Sequence, residues 1–199
     1  MNGQQQVVYE NIPKIMNHQN TGYPVMPILL RPYTLADAPS GQKWMNDPET
    51  TRFLGYGFSR PRTLEEVTEM LEMRICGDLT GESFAIIDAD TDDYMGECSL
   101  LLPDEKAKKA EIAIVILPEY RGKGAGTQAM RLLMEAGFRS YDRLFLKCAA
   151  NNASAIKLYE KLGFQKEGTL RRDMKIGDEV VDTVIYGMLK EEYLGQKLL

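Results

Sequence analysis

The sequence predicts one domain of the α/β class, of α+β type, in which a mixed, mostly antiparallel sheet of about seven strands is flanked by about four helices. A length of 199 residues suits one domain and can bury a sizeable core. With 44% apolar and 27% charged residues, the composition is typical of globular proteins. Short apolar runs that resemble strands are interspersed with segments whose apolar residues recur at three- and four-residue steps, as on one face of a helix.

The first part of the chain differs from the rest. Residues 1–27 are rich in Gln, Asn and Pro and show no sustained apolar period. We expect them to form an N-terminal extension that is disordered or lies along the surface, and we assign the domain itself to residues 28–199. His18 lies in this extension without a partner motif, and no function is assigned to it.

Two helices and three strands are predicted in the first half of the domain. One helix begins near Thr34, and a second begins at Thr63, which has the capping-box spacing with Glu66 and leads to an end near Gly77. An Asp-rich turn at 88–92 lacks the Gly and Glu of a calcium loop, so a solvated hairpin turn is predicted there. The strands are Ile28–Leu30, Ser83–Asp88 and Tyr94–Leu102.

The second half begins with a strand at Ala110–Leu117, whose nearly continuous apolar sequence suits the middle of a sheet and is interrupted by Glu111. A helix at about 129–138 and another that begins after Asn152 are predicted from their apolar stripes. The remaining predicted strands are Leu144–Ala149, Phe164–Arg172 and Val180–Leu189.

Charge and cysteine usage exclude several classes of function. The net charge is -5, and no Lys/Arg-rich run could follow a phosphate backbone, so nucleic acid is not expected as a partner. Cys76, Cys98 and Cys148 are far apart and not in metal-ligand spacing, which predicts neither a disulfide framework nor a metal site. The sequence shows no secretory leader and no apolar run of membrane-spanning length, so we expect a cytoplasmic protein without a membrane partner.

A glycine-rich loop carries the clearest functional signal. The residues Arg121-Gly122-Lys123-Gly124-Ala125-Gly126 follow a strand and open a helix. Backbone N–H groups and the positive end of a helix dipole meet at such a turn and favour phosphate, and the two cations could add charge for it. The alternative is a glycine-rich turn with two solvated cations. The spacing fits neither a P-loop nor a dinucleotide fingerprint.

The loop resembles the signature of the GNAT superfamily of acetyltransferases, Arg/Gln-x-x-Gly-x-Gly/Ala after a strand and before a helix. Arg121, Gly124 and Gly126 match it, and residues 151–164 resemble the family's second motif, with its Asn at the end of a strand and its Tyr on the next helix. Residues 31–54 are similar to the branch of ribosomal-protein N-terminal acetyltransferases and spermidine acetyltransferases.

The resemblance implies a sheet that splays between its fourth and fifth strands, with the pantetheine arm of acetyl-CoA lying in the gap like an extra strand. It implies acetyl-CoA as co-substrate and no metal. The free edge of the fourth strand could pair with the arm, and a backbone N–H of this strand could stabilise the oxyanion. The expected coenzyme-binding residues are Ile114, Val115, Ile116, Arg121, Gly122, Lys123, Gly124, Ala125, Gly126, Thr127, Asn151 and Ala155.

Glu111 and Tyr159 are the candidate catalytic residues. Glu111 interrupts an apolar strand, where burial would raise its pKa toward that of a useful base; the alternative is a carboxylate that reaches solvent. Glu97 on the neighbouring strand is the reserve candidate. By resemblance, Tyr159 would protonate the departing thiolate of coenzyme A, and its alternative role is that of a core aromatic residue.

The resulting hypothesis is an N-acetyltransferase that moves an acetyl group from acetyl-CoA to a primary amine by direct attack in a ternary complex. A protein N-terminus, a polyamine and a small-molecule amine all remain open as acceptors, and the protein could be a monomer or a homodimer. The alternative is an acetyl-CoA sensor or interaction module without turnover. Four aromatic residues fall in the segment that forms the family's acceptor side and could line the substrate site, namely Trp44, Phe53, Tyr56 and Phe58. The alternative, which is favoured for each residue taken singly, is a core or hinge role.

Overall fold

The computed structural model describes residues 27–54, 58, 60–77 and 81–196. Its sheet has seven strands in the order β1-β2-β3-β4-β5-β7-β6. Neighbouring strands are antiparallel except β4 and β5, which are parallel, so the predicted mixed, mostly antiparallel sheet is confirmed. The strands are β1 (Ile28–Pro32), β2 (Glu82–Asp88), β3 (Tyr94–Asp104), β4 (Lys109–Ile116), β5 (Arg143–Ala149), β6 (Gln165–Ile176) and β7 (Glu179–Leu189).

Six α-helices lie within the described residues: α1 (Ala38–Met45), α2 (Pro48–Thr51), α3 (Leu64–Cys76), α4 (Ala125–Ser140), α5 (Ala153–Lys161) and α6 (Lys190–Gln196). Four of them correspond to the predicted helices, and the short α2 and α6 are additional. The capping box that opens α3 is formed, because Thr63 Oγ1 accepts from the Glu66 N–H at 3.2 Å and Glu66 Oε2 accepts from the Thr63 N–H at 2.9 Å. Gly77 ends α3 in the left-handed conformation, as predicted.

Each face of the sheet carries a separate core. On one face, α4 packs over Phe84, Ile86 and Leu100, and α5 adds Tyr159. On the other face, α1 and α3 pack over the alternate strand residues, with Trp44 fully buried in this second core. Because neighbouring residues of a strand point to opposite faces, the glutamates of β3 and β4 lie on the face of α1 and α3.

The sheet opens between β4 and β5. These strands share three residue pairs, which end at Glu111↔Phe145. Beyond this point β4 remains paired with β3 as far as Ile116, and β5 remains paired with β7 as far as Ala149. The gap therefore runs along residues 112–116 of β4, about 16 Å at roughly 3.3 Å per residue. The predicted splay between the fourth and fifth strands is confirmed.

Gly96 of β3 lies unusually close to the open part of β4. Gly96 has a φ of 152°, and a Cβ at this position would lie 2.1 Å from the carbonyl oxygen of Val115. Only glycine permits this approach. Because Gly96 pairs with Ile116, the close approach lies at the level where β4 has lost its partner on the other side.

Candidate active site

The glycine loop lies at the mouth of the gap. β4 ends at Ile116, a 3-10 turn follows, and α4 begins directly after Gly124. Gly122 and Gly124 have φ values of 71° and 89°, and a Cβ at Gly122 would meet no atom within 4 Å. No side chain caps the N-terminus of this 16-residue helix. Its first N–H groups and its dipole are therefore available to an anion, and the loop leaves open space in front of them.

The first turn of α4 contacts both walls of the gap. A Cβ at Gly126 would lie 3.5 Å from the Ile116 side chain on β4 and 3.7 Å from the Leu158 side chain on α5. The helix N-terminus is thus held against the free end of β4. A phosphate at the loop and an extended chain along β4 could belong to one continuous ligand, which is the arrangement that the coenzyme requires.

The other predicted coenzyme residues surround this gap. Ile114 and Ile116 pack toward α4, whereas Val115 points to the face of α1 and α3. Asn151 is exposed just beyond the end of β5, and the cap of α5 is its neighbour Asn152, whose Oδ1 accepts from the Ala155 N–H at 3.2 Å. The remaining predicted residues are Lys123, which is exposed, Ala125, which is buried, and Thr127 and Ala155, which are half-buried.

Arg121 differs from the other loop residues because its guanidinium already has partners. Nε donates to the Ile116 carbonyl oxygen at 2.9 Å, Nη1 to Glu49 Oε1 at 2.9 Å and Nη2 to Thr50 Oγ1 at 2.8 Å. The side chain therefore points to α2. In this geometry Lys123, which is exposed and has no ion pair among the described residues, is the loop cation available to a phosphate.

Glu111 lies at the closed end of the gap, at the last residue pair that joins β4 to β5. Its side chain is half-buried on the face of α1 and α3. Burial raises the pKa of this carboxyl group, and the positive charge of Lys147 opposes the rise. Both the position and the direction of the shift suit a proton acceptor at neutral pH.

Glu97, the reserve candidate, is buried in a polar cluster under α3. Its Oε2 accepts a 2.5 Å hydrogen bond from the Tyr33 hydroxyl, and its Oε1 lies 3.9 Å from Arg74 Nη1. Burial raises the pKa of Glu97, and Arg74 opposes the rise. Glu97 pairs with Val115, further along the gap than Glu111. Because its partners hold it in place, Glu97 is less free than Glu111 to accept a proton from a substrate.

Tyr159 is buried on the opposite face, between the rings of Phe164 and Tyr186, whose centroids each lie 6.2 Å away. Burial raises the pKa of Tyr159 well above its usual value, and the nearby Cys148 raises it further. The phenol thus stays protonated and can donate. Burial also raises the pKa of Cys148 to about 11, so this thiol remains a neutral neighbour.

Glu111, on β4, and Tyr159, on α5, therefore lie on opposite faces of the sheet beside one gap. A reacting group within that gap would have an acceptor on one side and a donor on the other. The sequence predicted catalytic roles for both residues but did not show that the sheet separates them.

Of the four aromatic residues predicted for the acceptor side, Trp44 and Phe58 pack together with ring centroids 5.4 Å apart. Phe53 is half-buried, and the Arg52 guanidinium lies 5.2 Å from the centre of its ring. Tyr56 and His18 lie outside the described residues.

Sequence reasoning missed the contacts between the loop region and the first two helices. Besides the Arg121 bonds to α2, Lys43 on α1 donates to Glu119 at 2.9 Å. The only available signal was local: Asp47-Pro48-Glu49-Thr50 has the form of a helix N-terminus, and Asp47 does cap α2. Arg121, which bonds to Glu49, lies 72 residues away from it in the chain, so this pair could not be identified from spacing.

Two further observations concern the described residues only. None of their helices combines the length and the apolar character needed to cross a membrane. No three residues among their His, Cys, Asp and Glu side chains come together in a group that could hold a metal ion.

Comparison with known proteins identifies the family. The acetyltransferase (GNAT) domain family matches residues 28–165. The uncharacterized N-acetyltransferase p20 of Bacillus licheniformis is 32% identical over 173 residues, which cover 84% of this chain and 96% of that protein. YdaF of Bacillus subtilis (strain 168), provisionally named a ribosomal N-acetyltransferase, is 34% identical over 51% of this chain and 57% of its own length.

A solved structure agrees with this assignment. The crystal structure of spermidine N-acetyltransferase from Vibrio cholerae, in complex with CoA and spermine, matches with a TM-score of 0.76 and 25% identity. The match covers 84% of this chain and 98% of that chain. Relatives from both the spermidine and the ribosomal branch are thus found, as the first residues of the domain predicted. With its signature loop, its splayed sheet and these relatives, the chain belongs to the GNAT family of acyl-CoA-dependent N-acetyltransferases.

Proposed function

We propose that this protein transfers the acetyl group of acetyl-CoA to a primary amine by direct attack in a ternary complex, and that residues 28–199 form the catalytic domain. The observation that carries the proposal is the gap between β4 and β5. It has the N-terminus of α4 at its mouth, Glu111 at its closed end and Tyr159 on the opposite face.

The coenzyme is held by backbone groups in this proposal. Its pyrophosphate accepts hydrogen bonds from N–H groups of the loop 122–126, and Lys123 adds a positive charge. The pantetheine arm pairs with the free edge of residues 112–116, which would otherwise leave backbone polar groups without partners. Bound in this way, acetyl-CoA supplies the activated acetyl group.

Glu111 removes the proton that the attacking amine must lose. An amine with a pKa near 10.4 is neutral in only about one molecule in 2,500 at pH 7, so attack needs a proton acceptor. Burial raises the pKa of Glu111, so its carboxylate is a stronger base than that of an exposed glutamate. The carboxylate takes the ammonium proton directly or through a water molecule.

Tyr159 returns a proton to the leaving group. When the amine nitrogen bonds to the carbonyl carbon, an electron pair of the carbonyl group moves to its oxygen, and the nitrogen then loses its second proton to water. As the oxyanion returns to a carbonyl, the carbon–sulfur bond breaks and its electron pair stays on sulfur. The phenol donates its proton to this thiolate, and solvent restores the phenol afterwards. A backbone N–H of β4 stabilises the transient oxyanion in the water-poor gap.

A polyamine is the first acceptor to test, because the matched Vibrio cholerae enzyme is a spermidine N-acetyltransferase whose structure contains spermine. The net charge of -5 also favours cationic partners weakly. A protein N-terminus is the next candidate, on the basis of the match with YdaF.

The test is turnover with acetyl-CoA and three acceptors in parallel: spermidine, a short peptide with a free N-terminus, and an aminoglycoside. Acetylated product is measured by mass spectrometry, because Cys76 is an exposed thiol that could disturb a thiol-based assay. Product from any acceptor supports the proposal and identifies the class. Saturable binding of acetyl-CoA without product from any amine would favour a sensor module.

A further inference from the structure

The coenzyme loop and α2 are tied together by one side chain. The Arg121 guanidinium uses Nη1 for Glu49, Nη2 for Thr50 and Nε for the Ile116 carbonyl oxygen, at 2.8 to 2.9 Å. These partners lie on two different elements, the α2 helix and the end of β4. A planar guanidinium that donates in three directions fixes the relative position of its partners more strictly than a flexible ammonium group would.

The tie reaches the N-terminal cap of α2. The Thr50 hydroxyl, which accepts from Arg121, donates in turn to the carboxylate of Asp47, and this carboxylate also accepts from the Thr50 N–H at 2.9 Å. A helix of four residues is far too short to be stable alone. Its conformation must therefore depend on its cap and on tertiary contacts, of which Arg121 supplies two.

The segment after α2 is the predicted acceptor side of the site. Its described residues include Phe53 and Phe58, and Phe58 packs on Trp44. Asn46, which precedes α2, donates to the Arg62 carbonyl oxygen at 2.9 Å and accepts from the Arg62 N–H at 2.7 Å. The residue before α2 is thus bonded to Arg62, and α2 itself is bonded to Arg121.

We propose that Arg121 is a positioning residue that orders the acceptor side of the site when the coenzyme occupies the loop. The inference rests on the proposed coenzyme site. Gly122, the next residue, belongs to the phosphate-binding loop, so a phosphate that fixes this loop also fixes the backbone of Arg121. The guanidinium transmits this restraint to Glu49 and Thr50, and through them to α2.

If the coenzyme and the acceptor both bind more tightly when α2 is ordered, each must raise the affinity for the other by the same factor. The Lys43–Glu119 ion pair forms a second tie, but Lys43 makes a single bond through an exposed ammonium group, whereas Arg121 makes three, one of them to the buried Thr50. We therefore expect Arg121 to carry most of the effect. Removing its ion pair should weaken the coenzyme's influence on α2 by about fivefold, within the usual range for coupled sites.

Hydrogen–deuterium exchange of the amides at 49–54 tests the proposal without any knowledge of the acceptor. Wild type is compared with Glu49→Gln and Arg121→Gln, each with and without saturating coenzyme A. Glu105→Gln is the matched control, because it removes one carboxylate from an exposed ion pair at the opposite end of β4. Coenzyme A should slow exchange in wild type and in the control by about fivefold more than in the other two variants.

Coenzyme A affinity, measured by calorimetry on the same proteins, separates positioning from direct binding. Glu49→Gln should change the affinity by less than about threefold, since Glu49 reaches the loop only through Arg121. Equal protection of 49–54 in wild type and Glu49→Gln would overturn the inference. So would a loss of affinity of more than tenfold in Arg121→Gln with protection unchanged in Glu49→Gln, because Arg121 would then be a phosphate ligand.

Failure of the proposed function gives a different result. If wild type does not bind coenzyme A, both the proposed function and the inference are wrong. If it binds coenzyme A without slower exchange at 49–54, the inference alone is wrong.

Discussion

Replacing Glu111 with Gln keeps the size of the side chain and removes its ability to accept a proton at neutral pH. General base catalysis usually contributes a factor of about 10² to 10⁴. We expect the lower end, about a hundredfold or about 2.7 kcal/mol, because Glu111 is half-buried and water can partly replace it. The activity should recover partly toward pH 10, since each pH unit raises the fraction of neutral amine about tenfold.

The stability of this variant should not fall. Because burial raises the pKa of Glu111 in the folded protein, its contribution to stability is present at low pH and is lost as pH rises through that pKa. At pH 7 the ionised carboxylate therefore costs stability, and a neutral Gln removes the cost. The melting temperature of Glu111→Gln should equal or exceed that of wild type, so a loss of activity cannot be attributed to unfolding.

The assay is a pH–rate profile of kcat/KM from pH 6 to 10 with whichever amine proves to be the acceptor. Glu179→Gln serves as the control for loss of one negative charge, since Glu179 is exposed at the start of β7. Turnover of Glu111→Gln within threefold of wild type at pH 7 would refute the reasoning. Glu97→Gln would then be the next variant to measure.

Three further predictions concern the coenzyme, the acid and the fold. Gly124→Asp should weaken coenzyme A binding by about a hundredfold in calorimetry, because it places a carboxylate and a Cβ at a left-handed residue of the proposed phosphate loop. The control is Gly177→Asp in the β6–β7 turn, where the glycine has a φ of 59° and open surroundings, and this variant should bind coenzyme A with unchanged affinity. Tyr159→Phe should slow turnover without recovery at high pH, since the missing group is a proton donor whose pKa is raised by burial. Alkaline recovery like that of Glu111→Gln would contradict the role of acid. Burial raises the pKa of Glu82 to about 7, and its Oε2 has no hydrogen-bond partner, so the stability that its protonated form provides below about pH 4.5 is lost as pH rises to about 7. Glu82→Gln should therefore raise the melting temperature more at pH 8 than at pH 4.5, and an equal shift at both pH values would show that ionisation is not the cause.

Local features of the fold were predictable from the sequence. The α3 cap depends on Thr63 and Glu66, which are three residues apart, and the turn before α4 depends on the conformational freedom of Gly124. Such features depend on residues that are close neighbours in the sequence. The splay of β4 from β5 was predictable only through the resemblance to the family, because no local pattern states where two distant strands separate.

The contacts between the glycine loop and the first two helices were not predictable. Arg121 and Lys123 look equivalent in the sequence and both are exposed, yet Arg121 is bound to Glu49 and Lys123 has no ion pair among the described residues. Glu97 likewise gave no sign that Tyr33 and Arg74 would surround it. Each of these pairings joins residues that are distant in the chain. Which residues pair depends on how the helices pack on the sheet.

The opening between β4 and β5 divides the sheet into two blocks of strands, β1 to β4 and β5 to β7, whose backbones are joined by three residue pairs. A ligand that pairs along 112–116 would act as a removable eighth strand and join these blocks over most of their length. Because such a ligand binds only the folded protein, each rise in its concentration above the dissociation constant adds stability. The rigidity of the sheet would then follow the acetyl-CoA supply of the cell, and depletion of the coenzyme would leave a looser protein that is more open to proteolysis.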